Sequence, residues 1–325
     1  KGGENLTKQF TYGAIPSPQD LRDVKYQIAN FYPVKSSFPR SYQPKQLIPA
    51  MNQGAFGMCV AYAIELITAY HELDERGTLQ RFSQGYIYGN RAENDYKGEG
   101  MYPREALINF RIYGTPPNTT FPNRGTYPML KDRITPEMHS LAATQRIKSY
   151  SAIQTVDEIK TALMESGAVL IVIPVYNSFN NCPTNGMLAM PDTTRESILG
   201  YHAITIIGWR EDNRWIIQNS WGTNWGDRSK SQFCMAYMPF NYPITEKWGL
   251  VDEEIPVQYD DFEMILQLGS NDYYINGEKV DYAAPVLSES RMMVPIRLIS
   301  EQIGLNVDWK SNNLPVKITG KKLIK

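Results

Sequence analysis

The sequence predicts an α+β protein of two dissimilar halves followed by a small third region, and three observations carry that prediction. Apolar residues recur at helical spacing through the first half, and short runs rich in Val, Ile and Trp fill the second. An acidic, Pro-containing stretch, Val251 to Asp261, then precedes a region with its own hairpin signal. At roughly 100 to 200 residues per domain, the 325 residues suit about two domains.

The elements follow in order. Residues 1–37 are polar and broken by Pro16, Pro18 and Pro33, which reads as an N-terminal extension ahead of a main domain at 38–257. From Cys59 to Leu73, Val60, Ala63, Ile64, Ile67 and Tyr70 fall on one helical face, and Gly54 and Gly57 suit a loop feeding the helix start. A second helix runs from Pro103 to Gly114, with Pro in its first turn and Gly as its stop, and a third from Val156 to Ser166 is closed by Gly167. After Gly167 the period changes, giving strands at Ala168–Val175, His202–Trp209 and Arg214–Gln218. In the third region, 258–325, Asn276-Gly277 supplies the positive φ angles of a tight hairpin turn. A helix from about Pro295 to Ile303 and a strand near Val307 complete it.

Composition excludes several classes. Lys and Arg number 33 against 34 Asp and Glu, so a basic face for nucleic acid is not expected. No apolar run approaches the roughly 18 residues of a membrane span. The opening at Lys1, without a Met, reads as a leader removed or left out of the sequence. The three cysteines, Cys59, Cys182 and Cys234, are too scattered for a zinc site, and His71, His139 and His202 form no His-Glu-x-x-His.

The chemistry offered is that of a thiol nucleophile. Such a group needs a base, a residue that orients the base, and donors facing the oxygen that turns negative when a carbonyl is attacked. Cys59 sits at a helix start, where the dipole and free N–H groups favour a thiolate. Gln53 lies across a loop with two glycines, so its amide can return beside the sulfur and form an oxyanion hole with the Cys59 N–H. His202 opens an apolar strand, and Asn219 follows a turn at Asp212-Asn213 and a second strand, so antiparallel pairing would bring the two together. A lone buried cysteine or a core histidine would be the ordinary reading of either residue alone; the matched set outweighs it. His71 and His139 have no such partners and read as surface residues, Trp225 as a core aromatic, and the 21 tyrosines as scattered structural residues.

Asn52-Gln53-Gly54-Ala55-Phe56-Gly57-Met58-Cys59, Gly200-Tyr201-His202-Ala203 and Gln218-Asn219-Ser220-Trp221-Gly222-Thr223-Asn224-Trp225-Gly226 resemble the three signature blocks of papain-like cysteine peptidases, over about residues 45 to 250. The resemblance implies a helical lobe and a β-barrel-like lobe with a cleft between them. It makes Cys59 the nucleophile, His202 the acid/base, Asn219 its orienting group and Gln53 the oxyanion donor, with Trp221 covering the His202–Asn219 bond. Gly100 stands where the family pairs with substrate backbone. Met58 and Val60 depart from the usual neighbours of the nucleophile, and Phe56 replaces a cysteine that many members use in a disulfide. Cys182 and Cys234 are left as either a disulfide or two free thiols.

Tyr12-Gly13-Ala14-Ile15-Pro16 followed by Leu21-Arg22-Asp23 resembles a segment of bacterial members that lack a long propeptide. It implies an extension that packs on the body or crosses the cleft, where it can act as a short inhibitory segment. Asn276-Gly277-Glu278-Lys279-Val280, Ala284-Pro285-Val286 and Arg291 to Arg297 resemble the domain named after the N-terminal domain of copper amine oxidases, a module of secreted and surface proteins of Gram-positive bacteria. It implies no copper site, because residues 263 to 325 contain neither His nor Cys. The expectation is a secreted or surface-associated bacterial endopeptidase acting on proteins or peptides without a cofactor, its third domain contacting the cell surface. A silent adhesin on a peptidase scaffold and a transpeptidase are the alternatives.

Overall fold

The structure is a computed structural model. It describes residues 10–20, 23, 25–26, 34–91, 98–123 and 125–251, and beyond these the backbone of seven strands. The chain divides into two compact units, residues 1–19 with 24–253 and residues 20–23 with 254–325.

Of the elements described in the first unit, α1 (Cys59–Arg76) comes first, and its residues from Cys59 to Leu73 are all buried. A helix enclosed on every side has no polar stripe, which is why His71 is buried on it rather than at the surface the sequence suggested. Gly77 stops it in the left-handed conformation, its N–H returning to the Leu73 carbonyl. Around α1 lie α2 (Gln84–Gly89), α3 (Pro103–Tyr113), α4 (Tyr127–Lys131) and α5 (Pro136–Ala142). The buried Glu65 on α1 holds Arg81 through two contacts of 2.8 and 2.7 Å, tying the helix to the chain that leads into α2.

The second lobe is built on β1 (Ser149–Ala152), α6 (Val156–Ser166), β2 (Val169–Val175), the single turn α7 (Asn177–Asn180), β3 (Gly200–Arg210), β4 (Arg214–Gln218), β5 (Met235–Pro239) and β6 (Glu246–Val251). The strands form one antiparallel sheet in the order β1-β6-β2-β3-β4-β5. β2 is buried along its whole length, as its unbroken apolar sequence requires. α6 opens on a capping box between Thr155 and Glu158. No helix among the described residues is long and apolar enough to cross a membrane.

In the second unit, β7 (Tyr259–Leu266), β8 (Asp272–Ile275), β9 (Glu278–Asp281), β12 (Asn306–Asp308) and β13 (Val316–Leu323) form an antiparallel sheet in the order β12-β13-β7-β8-β9. β10 (Val286–Ser288) pairs with β11 (Arg291–Met293). The β8–β9 pairing brackets Asn276-Gly277 as the turn signal required. The helix expected near 295–303 lies outside the described residues.

Candidate active site

α1 carries Cys59 as its first residue, with no acidic side chain in that turn and no side-chain cap from Met58, so no carboxylate competes for its leading N–H groups. The β3–β4 hairpin, in register at Thr205 and Gln218, brings Asn219 back beside His202. His202 Nε2 and Asn219 Oδ1 are 2.7 Å apart. Because Oδ1 also accepts the Ser220 N–H at 2.7 Å, it is the acceptor here and Nε2 carries the proton. That leaves Nδ1 free to take a proton; it is buried without a hydrogen-bond partner among the described residues. Trp221 stacks on the imidazole at 4.5 Å and 25°. The Cys59 sulfur accepts the N–H of Ala203, the residue next to His202, at 3.4 Å.

Gln53 is buried between the two lobes. Its N–H donates to the Ser220 carbonyl (2.9 Å) and its Oε1 accepts the Ser220 hydroxyl (2.6 Å). Its Nε2 donates to the carbonyls of Phe56 (2.9 Å) and Thr11 (3.1 Å).

The second of these acceptors belongs to the N-terminal segment, which runs through the cleft. Phe10 stacks on Trp221 at 4.2 Å and 11°, and the Tyr12 ring meets His202 edge-on at 6.2 Å. Gly13 passes so close to Gly57 that an added Cβ would lie 2.0 Å from its carbonyl oxygen. Ala14 then bridges Met101 in parallel sense: the Met101 N–H donates to Gly13 O (2.9 Å) and the Ile15 N–H to Met101 O (3.1 Å). On its other side the Ala14 N–H reaches the Tyr201 carbonyl at 3.2 Å. Ser17 N–H ends the passage on the Glu246 carboxylate.

Burial sets the protonation of the pair beneath this cover. Burial pushes the Cys59 thiol up to about 11, against the pull of N–H groups led by that of Ala203. Burial lowers His202 to about 4, against its hydrogen bond to Asn219. With the segment in place the favoured state is therefore a thiol beside a neutral imidazole, not the thiolate that the helix start alone suggests.

The N-terminal segment pairs with Met101, one residue past the Gly100 to which the resemblance assigns substrate pairing. The Gly100 N–H is consumed by the Tyr88 hydroxyl (3.0 Å), and its φ of 118° turns the chain so that Met101 presents its backbone to the cleft. Of the two alternatives for the remaining cysteines, the structure carries free thiols: the Cys182 sulfur faces the Pro183 carbonyl at 3.6 Å, and Cys234 is buried in left-handed conformation. Trp225 is a core residue, and His139 is half-buried, 2.7 Å from the Tyr86 hydroxyl.

The family model described as papain family cysteine protease matches residues 36–238, more than half of the chain. The chain belongs to the papain family. It is accordingly a cysteine peptidase, a hydrolase. The copper amine oxidase N-terminal domain model matches residues 244–318, beginning just ahead of β6, which the structure pairs with β1 and β2. An uncharacterized peptidase C1-like protein of Acanthamoeba polyphaga mimivirus is 28% identical over 231 residues, covering 65% of this chain and 72% of that protein. A cathepsin B-like cysteine proteinase of Haemonchus contortus is also 28% identical, over 109 residues that span 33% of this chain and 31% of the relative. Two solved structures share the fold. Xylellain, a cysteine protease from Xylella fastidiosa, has a TM-score of 0.64 at 21% identity and covers 75% of this chain and 96% of its own. The cysteine protease and lectin-like domains of Cwp84, a surface layer associated protein of Clostridium difficile, give 0.59 at 12% identity, covering 95% and 78%.

Sequence reasoning missed Met101 and the bond between Ser220 and Gln53. Met101 is an apolar residue acting through its backbone, which leaves no side-chain signal. Ser220 was visible inside the Gln218–Gly226 block, and its hydroxyl bond to Gln53 is a tertiary fact.

Proposed function

We propose that the protein is an endopeptidase that cleaves protein or peptide substrates with Cys59, His202 and Asn219 through a thioester, and that residues 10–17 hold it inactive. The observation that carries the reading is the His202–Asn219 bond of 2.7 Å under Trp221, one residue from the backbone N–H that touches the Cys59 sulfur. In the uncovered cleft Nδ1 takes the thiol proton and the sulfur attacks the scissile carbonyl carbon. Gln53 Nε2 and the Cys59 N–H receive the developing oxyanion, the C–N bond breaks as His202 returns the proton to the leaving amine, and water then hydrolyses the thioester. Replacing Cys59 with Ala should abolish cleavage of a fluorogenic peptide while leaving the thermal unfolding curve in place; turnover retained by that variant would sink the mechanism.

The inhibited reading is supported by the direction of the segment. A substrate must set its leaving nitrogen beside His202, so residues after the scissile bond lie toward Trp221 and those before it run along Gly100 and Met101. The segment does the reverse, with Phe10 on Trp221 and Ala14 on Met101, and its Thr11 carbonyl takes the Gln53 donor. The division at 38 and 258 is part of the same proposal; the separation of the two compact units near residue 253 supports the second boundary, and the first rests on the sequence. A secreted or surface location is part of the same proposal; the C-terminal module supports it, and the fold neighbour Cwp84, itself described as surface layer associated, is consistent with it.

A further inference from the structure

The turn ahead of Cys59 is fixed by a carboxylate that no part of the proposed chemistry uses. Phe56 and Gly57 share one peptide unit, and both its ends are bound. Its carbonyl accepts Gln53 Nε2 (2.9 Å) and the Met58 N–H (2.8 Å). Its N–H donates to Glu99 Oε2 at 3.1 Å. The same Oε2 accepts the Tyr88 hydroxyl at 2.8 Å, and Tyr88 in turn receives Arg91 Nη1 and the Gly100 N–H, each at 3.0 Å. Arg91 is buried, lies over the Tyr88 and Tyr127 rings, and bonds the carbonyls of Gly98 and Gly100. The carboxylate therefore stands on a buried node in the connection between α2 and α3 and reaches a peptide plane whose other end holds the oxyanion donor.

We infer that Glu99 is a positioning residue: by fixing the Phe56–Gly57 peptide it aims the Gln53 amide, and it ties the nucleophile's turn to the wall that carries Met101. A peptide plane free to rotate at its N–H end would carry its carbonyl away from Gln53 Nε2. Donating to a carboxyl oxygen also polarises the peptide, strengthening the carbonyl as a partner for that amide. All three cysteines of the chain are free, so this noncovalent bridge joins loops that no disulfide joins. Only glycine fits at the crossing, since a Cβ on Gly57 would meet Gly100 N at 2.9 Å and Glu99 Cβ at 3.1 Å.

The inference rests on the proposed peptidase function, and the test separates the two. In the full chain, and in the full chain carrying Gly13→Ala so that the cover does not mask the effect, Glu99→Ala should lower kcat/KM for a peptide amide by between about tenfold and about a hundredfold. The fall should lie in kcat. Glu99→Gln, which keeps an acceptor oxygen, should restore most of it. Alkylation of Cys59 by iodoacetamide, whose transition state develops no oxyanion, should stay within about twofold of the parent. In a Gln53→Ala background the Glu99→Ala effect should vanish. Equal losses in alkylation and turnover, or full additivity with Gln53→Ala, would overturn the positioning role. A Gly13→Ala chain that neither turns over peptide nor alkylates faster than an ordinary thiol would instead overturn the peptidase reading beneath it.

Discussion

Asn219 Oδ1 accepts from two donors, His202 Nε2 and the Ser220 N–H, and a group so committed cannot rotate to suit the other tautomer. Asn219→Ala should therefore lower kcat about a hundredfold, the scale of general-base assistance, with KM little changed; steady-state kinetics after segment release would show it. The titration of the covered pair gives a second prediction at this scale. His202 sits near 4 under the cover against an ordinary 6.5, so the contribution of its neutral ring to the covered state is complete above about 6.5 and is lost as pH falls toward 4. Cys59 has the opposite sense: raised from 9.0 to about 11, its contribution is complete below about 9 and is lost as pH rises toward 11. Hydrogen exchange at the Ala14 and Met101 amides, corrected for the intrinsic pH dependence, should show weakening protection in both windows. Protection unchanged between pH 6.5 and 4 would count against His202 as the acid-sensitive group.

At the level of elements, the buried Glu65–Arg81 contact is the one whose loss should be felt most. Arg81→Ala strands a carboxylate with no solvent access and should destabilise the first unit by about 3 kcal/mol in denaturant titration. Thr155→Ala, which removes half of a capping box, should cost about 1 kcal/mol. The elements legible in the sequence were those with chemical punctuation. α3 runs from Pro103 to the residue before Gly114, and α6 from the residue after Thr155 to the one before Gly167. β2 stood out as an unbroken apolar run, and β3 and β4 as short runs rich in Ile and Trp between turn residues. α2, α4 and α5 were not read, because helices of five to seven residues complete too few turns for a periodic face to emerge. The site divides in the same way. Cys59, His202 and Asn219 announce themselves by side-chain type near an element's end and Gln53 by its place in the loop ahead of α1, whereas the backbone role of Met101 and the crossing of Gly13 over Gly57 depend on contacts between chain segments far apart.

For the molecule as a whole, the first unit is a cleft with its own occupant, held by main-chain bonds to Met101 on one wall and Tyr201 on the other. The contact with least tolerance is Gly13, where a methyl group would overlap the Gly57 carbonyl. Gly13→Ala should displace residues 10–17 and raise the iodoacetamide reactivity of Cys59 at least about tenfold, while unfolding of the body is unaffected. Reactivity equal to that of the unaltered chain would mean that the segment does not guard the thiol. The polarity of that occupant has a consequence in time. A strand threaded backwards presents no bond that its own host can cut, so its removal is the work of a second molecule. Activity should then appear after a lag that shortens as the protein is concentrated and lengthens on dilution. A lag indifferent to dilution would mean that the strand leaves and re-enters the other way round, unaided.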